Sequence, residues 1–161
     1  MGKTDEQIIQ ERYDDILENY IVSSAGYATA TFLLGIGDRH LQNIMICGDG
    51  KLFHIDFGFI FGKEPNSFKQ RYATKLRLSK EMLEPMVKNT TAKSIDPNYE
   101  KFERKFVESF LILRNKTSYM MNLIHLMIHS GIGDLAFVNH QKVLLDLYDR
   151  FLPKLNNEEA K

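Results

Sequence analysis

Two short polar clusters in this chain have residue types and spacing suited to phosphoryl transfer. The first is Asp38-Arg39-His40 followed by Asn43, and the second is Asp56-Phe57-Gly58. Between them run two apolar, β-prone stretches, Asn43 to Cys47 and Lys51 to Ile55, separated by Gly48-Asp49-Gly50, a strong hairpin signal. A hairpin there folds the chain back and brings Asp56 towards Asn43 and Asp38. The reaction needs such a convergence. One carboxylate orients or deprotonates an attacking hydroxyl, while an amide oxygen and a second carboxylate hold magnesium on the phosphates of ATP.

The elements that must position these clusters are mostly helical. Thr4-Asp5-Glu6-Gln7 is a capping-box pattern opening a first helix, on which Ile8, Ile9, Tyr13, Ile16, Leu17 and Tyr20 mark one face. A second helix, Ile21 to Leu34, carries small residues at Ser23, Ser24, Ala25, Gly26, Ala28 and Ala30, as expected of a buried helix feeding the loop at Asp38. Beyond the hairpin, Ser79 caps a short helix running to about Lys88, with polar linker from Asn89 to Ser94. Asp96-Pro97 opens a longer one with Tyr99, Phe102, Phe106, Phe110 and Leu113 on its apolar face. Thr117 to Ile128 is apolar nearly all round and reads as a core helix. Gly131 and Gly133 break the chain, and Val143, Leu144, Leu147, Tyr148 and Phe151 mark a last helix ended by Pro153. Asn156-Asn157-Glu158-Glu159 has the pattern of a further helix start.

Composition bounds the rest. At 161 residues, with 43% hydrophobic and 26% charged residues, the chain suits one globular domain with a real core. Its zero net charge gives no overall bias towards nucleic acid or membranes. No apolar run approaches the roughly 20 residues that span a bilayer, and the first residues lack a signal peptide's apolar centre. Cys47 is the single cysteine, so no internal disulfide forms, and its place in an apolar strand reads as a small core residue.

Gly-Ile-Gly-Asp-Arg-His at 35–40, Asn-Ile-Met at 43–45 and Leu-Phe-His-Ile-Asp-Phe-Gly at 52–58 together resemble the phosphoinositide 3- and 4-kinase superfamily, and its phosphoinositide 3-kinase branch in particular. Protein kinases read His-Arg-Asp and place four residues before the asparagine; here the triplet is reversed and Leu41-Gln42 alone precede Asn43. The likeness continues more weakly through Phe102–Leu135. It implies an α+β, mainly α-helical fold: a protein-kinase-like C-terminal lobe whose small β-hairpin carries the catalytic and metal-binding loops. By this resemblance residues 1–161 correspond to that lobe, with the family's N-terminal lobe and final C-terminal helices lying outside it.

The resemblance also assigns roles. Asp38 contacts the substrate hydroxyl, with His40 its rival as base because an imidazole titrates nearer neutrality. Asn43 and Asp56 are the magnesium ligands. Arg39 belongs to the catalytic triplet but reads as an internal anchor for loop or carboxylate rather than a group acting on the transition state. Met45 and Ile55 match family positions on the floor of the adenine pocket, and His54 reads as structural. Downstream of Asp56 the residues Lys63, Lys69, Arg71, Lys75, Arg77 and Lys80 stand against Glu64 alone, a local charge of +5 that leaves −5 on the rest. The family places its activation loop there. Lys69, Arg71, Lys75 and Arg77 are thus expected to face an inositol phosphate headgroup on an anionic bilayer.

The expected activity is transfer of the γ-phosphate of MgATP to the inositol 3-hydroxyl of phosphatidylinositol or its phosphates, by a cytoplasmic protein peripheral on intracellular or plasma membranes, with a regulatory subunit as partner. The isolated chain is expected to be inactive. A 4-kinase or related protein kinase, or a non-catalytic lobe that binds membranes or partners, are the alternatives. The long basic loop resembles the class I enzymes, whereas Phe57–Pro65 and Leu78–Met82 look closer to class III, which leaves the phosphorylation state of the lipid open. His125 and His129 have zinc-ligand spacing on a helix, but the metalloprotease glutamate is missing and no third ligand is evident nearby.

Overall fold

The computed structural model describes residues 3–65, 76–87, 96–130 and 139–160. The two N-terminal helices expected from the sequence are one: α1 runs unbroken over Asp5–Leu34. No proline or turn residue stands at the Tyr20–Ile21 junction, and Gly26 is accommodated in mid-helix, so nothing interrupts the hydrogen-bond ladder. The capping box forms as read. Gln7 donates its backbone N–H to Thr4 Oγ1 at 3.3 Å, and Thr4 N–H donates to Gln7 Oε1 at 3.0 Å. Of the apolar face expected on this helix, Ile8, Ile9, Tyr13 and Ile16 are exposed, and burial begins at Tyr20 and Ile21.

After Leu34 the chain passes through a 3-10 turn at Leu41–Asn43 into strands β1 (Ile44–Ile46) and β2 (Leu52–His54). They pair antiparallel with Ile44 opposite His54, Met45 opposite Phe53 and Ile46 opposite Leu52. This is the expected hairpin. Its turn is pressed onto α1, because a Cβ on Gly50, whose φ is +90°, would stand 2.3 Å from the carbonyl oxygen of Ile16. Asn19 donates to the Asp49 carbonyl at 3.0 Å, and the β2 amide of Leu52 donates to Ser23 Oγ at 2.9 Å. Helix and hairpin are therefore tied together at both the turn and β2.

Four further helices follow among the described residues: α2 (Lys80–Leu83), α3 (Pro97–Arg114), α4 (Thr117–His129) and α5 (His140–Arg150). Ser79 caps α2 as expected, but the helix ends well before Lys88. Pro85 has no N–H to give and its ring would collide with the carbonyl of Glu81. Asp96 and Pro97 open α3, which lies along α1. The main core fills the space between α1, β2, α2 and α3, with Tyr20, Ile21, Leu52, Met86 and Phe102 among its buried members. A second cluster joins Phe61 to Ile124, Ile128, Val143 and Leu147, and a third holds Leu33 against Phe110 and Phe151. One expectation is corrected here. Helix α4 buries only Ile124 and Ile128, and Tyr119 (63% exposed) and Leu126 (65%) face outwards, so it is an edge helix of this chain, not a core one.

The described residues are thus mainly helical with one small antiparallel sheet, in agreement with the fold class read from the sequence. The residues around Asn156 form the expected cap within a turn: Glu158 and Glu159 amides donate to Asn156 Oδ1, and Asn156 N–H donates to Glu159 Oε2 at 2.9 Å. No helix among the described residues is long and apolar enough to cross a membrane. The linker at 89–94 and the glycines at 131 and 133 lie outside the described residues.

Candidate active site

The site begins where α1 stops. Gly35 takes a left-handed φ of 58° and returns its N–H to the Thr31 carbonyl, which ends the helix and sends the chain towards Asp38. The segment after Asp56 is laid beside this stem. Gly37 N–H donates to Phe59 O at 2.8 Å, Phe61 N–H to Leu34 O at 2.9 Å, and Gly62 N–H to Gly35 O at 2.8 Å. The approach leaves no room for side chains, since a Cβ on Gly37 would lie 2.2 Å from the Lys63 carbonyl oxygen. The Gly-Ile-Gly spacing is what permits the two loops to touch.

Arg39 fastens them. Only 6% exposed, it donates Nε to Gly37 O at 2.7 Å and Nη1 to Ile55 O at 3.0 Å, while Nη2 bonds the Asp56 carbonyl. Its guanidinium also stands 5.6 Å from the centre of the Phe57 ring. Burial lowers its pKa, with Asp38, Asp56 and Glu64 pulling the other way, and an arginine so placed remains a cation. The anchor role expected for Arg39 matches where its donors go.

Asn43 is 7% exposed, and its Nδ2 donates to the Asp38 carbonyl at 2.9 Å. Asp38 and Asp56 both hold left-handed backbone, with φ of 51° and 57°. Aspartate tolerates that region better than most residues, at a cost that strained functional positions commonly carry. The Asp56 side chain is exposed, and its Oδ1 accepts the N–H of Gly58 at 3.2 Å. His40 Nε2 lies 3.7 Å from Asp38 Oδ2. Asp38 and His40 open on a cleft of about 460 Å³ that Glu64, Arg77 and Ser79 also line.

The hairpin presents a second surface. Pairing puts Asn43, Met45, Phe53 and Ile55 on one pleat face, with Leu52 and His54 buried on the other, against α1. Met45 (46% exposed) and Ile55 (39%) therefore share an open apolar face, outside the cleft that holds Asp38. Cys47 is exposed, contrary to the core position expected for it; it lies just past the last paired residue of β1. His54 fits the structural role read for it. Buried, with neither ring nitrogen hydrogen-bonded, it packs 5.0 Å from the Tyr27 ring, and burial, helped by the Arg39 charge, pushes its pKa down to about 4.

Of the four basic residues expected at the headgroup, Arg77 is at the cleft, and Lys69, Arg71 and Lys75 lie outside the described residues. Glu64 was not singled out as a site residue. It accepts the Asp38 N–H at 3.3 Å, and its signal in the sequence was that it is the one acid of a basic run. The His125 and His129 rings are tilted against each other with centres 4.3 Å apart, His129 meets His140 of α5 edge-on at 4.9 Å, and His129 Nδ1 lies 2.8 Å from the His125 carbonyl.

The donor set suits magnesium. An amide oxygen and a carboxylate are hard ligands, and magnesium on a nucleotide takes one or two protein ligands and completes its shell with phosphate and water. An all-protein cage would look different, and among the described residues no three His, Cys, Asp or Glu side chains converge to form one.

A buried arginine staple, an asparagine tied to the Asp38 loop and two carboxylates on adjoining loops are the parts expected of a kinase-type lobe. Comparison with known proteins agrees: residues 3–137 match the family model for phosphatidylinositol 3- and 4-kinase, and the chain belongs to that family. It is 37% identical over 144 residues to phosphatidylinositol 3-kinase pik3 of Schizosaccharomyces pombe, covering 89% of this chain and 17% of that protein. The nodule isoform of phosphatidylinositol 3-kinase from Glycine max is 39% identical over 144 residues (89% of this chain, 16% of that protein), and phosphatidylinositol 3-kinase VPS34 of Arabidopsis thaliana is 38% identical over 142 residues (88% and 16%). The chain thus spans about a sixth of the length of these relatives.

Proposed function

We propose that this chain supplies the catalytic and activation loops of an ATP-dependent phosphatidylinositol 3-kinase. The observation that supports the reading is the Arg39 staple, which joins the Asp38 loop to the backbone of Ile55 and Asp56, with Asn43 bonded to the Asp38 carbonyl beside it. The names of its relatives supply the acceptor, a phosphatidylinositol. Asn43 and Asp56 would hold magnesium, which when bound offsets negative charge on the nucleotide phosphates.

The rest of the chemistry falls to the chain's own side chains. An inositol hydroxyl entering the cleft would meet Asp38 and His40, whose Nε2 lies 3.7 Å from the Asp38 carboxylate. As its oxygen bonds to the γ-phosphorus and ADP leaves, the hydroxyl proton passes to Asp38 or His40. Arg77, with Lys69, Arg71 and Lys75 from the same basic run, holds the headgroup phosphate at an anionic membrane surface. Met45 and Ile55 offer one wall for the adenine ring. The chain spans about a sixth of the length of its relatives, and on this reading it is inactive by itself. The membrane setting is the cytoplasmic face, with a regulatory subunit as partner.

The test is phosphate transfer from ATP to liposomes that carry phosphatidylinositol or its phosphates in separate assays. It compares the full-length protein containing this chain with the chain alone. A 3-phosphorylated lipid from the former and none from the latter is expected. Labelling of protein with no lipid product would overturn the reading in favour of a protein kinase.

A further inference from the structure

We infer that Arg150, at the end of α5, is a positioning residue for both catalytic loops; the inference rests on the kinase reading above. The last turn of α1 contains no basic residue, although a helix C-terminus carries unpaired carbonyls and partial negative charge. Arg150 supplies the cation from 118 positions away, donating Nη1 to the Phe32 carbonyl at 2.7 Å. The neighbouring carbonyls have other partners: Thr31 O accepts from Gly35 and Ile36, and Leu34 O accepts from Phe61. Arg150 thereby completes the terminus from which the Asp38 loop departs.

Its guanidinium also lies across the point where the two loops meet. A Cβ on Gly35 would stand 3.1 Å from both Cζ and Nη2 of Arg150, and one on Gly62 would stand 3.9 Å from Nη2. Those glycines are bonded to each other, Gly62 N–H to Gly35 O, at 2.8 Å. Asp38 follows Gly35 by three residues and Asp56 precedes Gly62 by six, so one planar group backs both stems. Arg150 is itself held. Phe151 beside it is 1% exposed, and Arg114 of α3 donates Nε to the Phe151 carbonyl at 3.0 Å and Nη2 to the Leu152 carbonyl at 3.1 Å. Burial lowers the Arg150 pKa while Asp146, one turn back on α5, opposes it.

Arg150 touches no residue assigned to substrate, so its loss acts on turnover through the stems. The experiment measures kcat, KM for ATP and amide exchange in the full-length protein containing this chain, for wild type, Arg150→Met and Arg150→Lys. For Arg150→Met, kcat per folded molecule is expected to fall about ten- to a hundredfold with KM for ATP within about twofold, because small misplacement of reacting groups costs rate before it costs binding. Exchange should quicken at Phe61 and Gly62 and stay unchanged in the middle of α3. Arg150→Lys keeps a donor for Phe32 O without the plane across Gly35, and should lie between the two. If Arg150→Met does not fold, Arg150→Lys alone decides: reduced kcat with faster exchange confined to Phe61 and Gly62 supports the inference. Wild-type kcat, or exchange quickened equally throughout α3, overturns it for either variant. Asp56→Asn runs alongside. If that variant keeps activity, the kinase reading fails, whereas an inactive Asp56→Asn beside a fully active Arg150→Met sinks the positioning role alone.

Discussion

Arg39 bonds the main-chain carbonyl of Asp56 rather than its carboxylate. The guanidinium thus fixes where the aspartate's backbone lies and leaves the carboxylate exposed for other work. Arg39→Met would strand three carbonyls, those of Gly37, Ile55 and Asp56. Hydrogen bonds to charged groups contribute more than neutral ones, so a loss of about 3 kcal/mol in unfolding free energy is expected. Arg39→Lys should recover less than half of it, since an ammonium lacks the planar fork. Urea titration of the three proteins measures this, and a Lys variant as stable as wild type would refute the staple.

Asp56→Asn should separate chemistry from folding. The side chain is exposed, and an asparagine oxygen still accepts the Gly58 N–H, so the unfolding free energy from urea titration should stay within about 0.5 kcal/mol of wild type. Phosphate transfer by the full-length protein should fall by at least about a hundredfold if Asp56 is the magnesium ligand proposed above, because a neutral amide would replace its carboxylate. Retained turnover would count against the metal assignment.

Two glycines predict opposite signs. Gly50 has φ +90°, and an added Cβ would collide with the Ile16 carbonyl, so Gly50→Ala should destabilise by about 2 kcal/mol or more. At Gly26, in mid-helix, an added Cβ meets nothing within 4 Å, and alanine should stabilise by about 0.5–1 kcal/mol. Thermal melts of both variants check the pair.

His54 makes stability depend on acid. Its pKa in the folded chain is about 4, against an ordinary value of 6.5. The unfolded state therefore takes up the proton first, and stability falls as pH drops through 6.5 until the folded state also protonates near 4. The loss amounts to about 3 kcal/mol. His54→Leu should remove that component, flattening the stability curve between pH 7 and 4.5. Parallel curves for the two proteins would show that His54 is not its source.

How much of this was legible in the sequence depended on how local the cause was. Gly48-Asp49-Gly50 between two β-prone runs gave the hairpin and its alternation, and with them the shared face of Met45 and Ile55. Thr4, Ser79 and Asp96 act as caps where they were read, because capping involves a few adjacent residues. Errors arose where the deciding partner was remote. The face carrying Ile8 to Ile16 and that of the small residues from Ser23 gave two periodic patterns, and nothing in either showed that the helix runs through. Tyr119 and Leu126 of α4 are as apolar as a core demands, but the packing of α5 selects Ile124 and Ile128 instead. Arg150 left no local sign at all, since its acceptor is on the helix at the other end of the chain.

The left-handed backbone at Asp38 and Asp56 sets the fold's own preference against its chemistry. Glycine adopts such φ values without the strain a side chain brings, so at both places the residue best for the backbone is one without a carboxylate. A library of the full-length protein varied at these two positions and sorted for thermal stability alone would be drawn towards glycine at both and would enrich well-folded proteins without the two carboxylates. Any directed evolution of the full-length protein therefore has to score turnover from the first round.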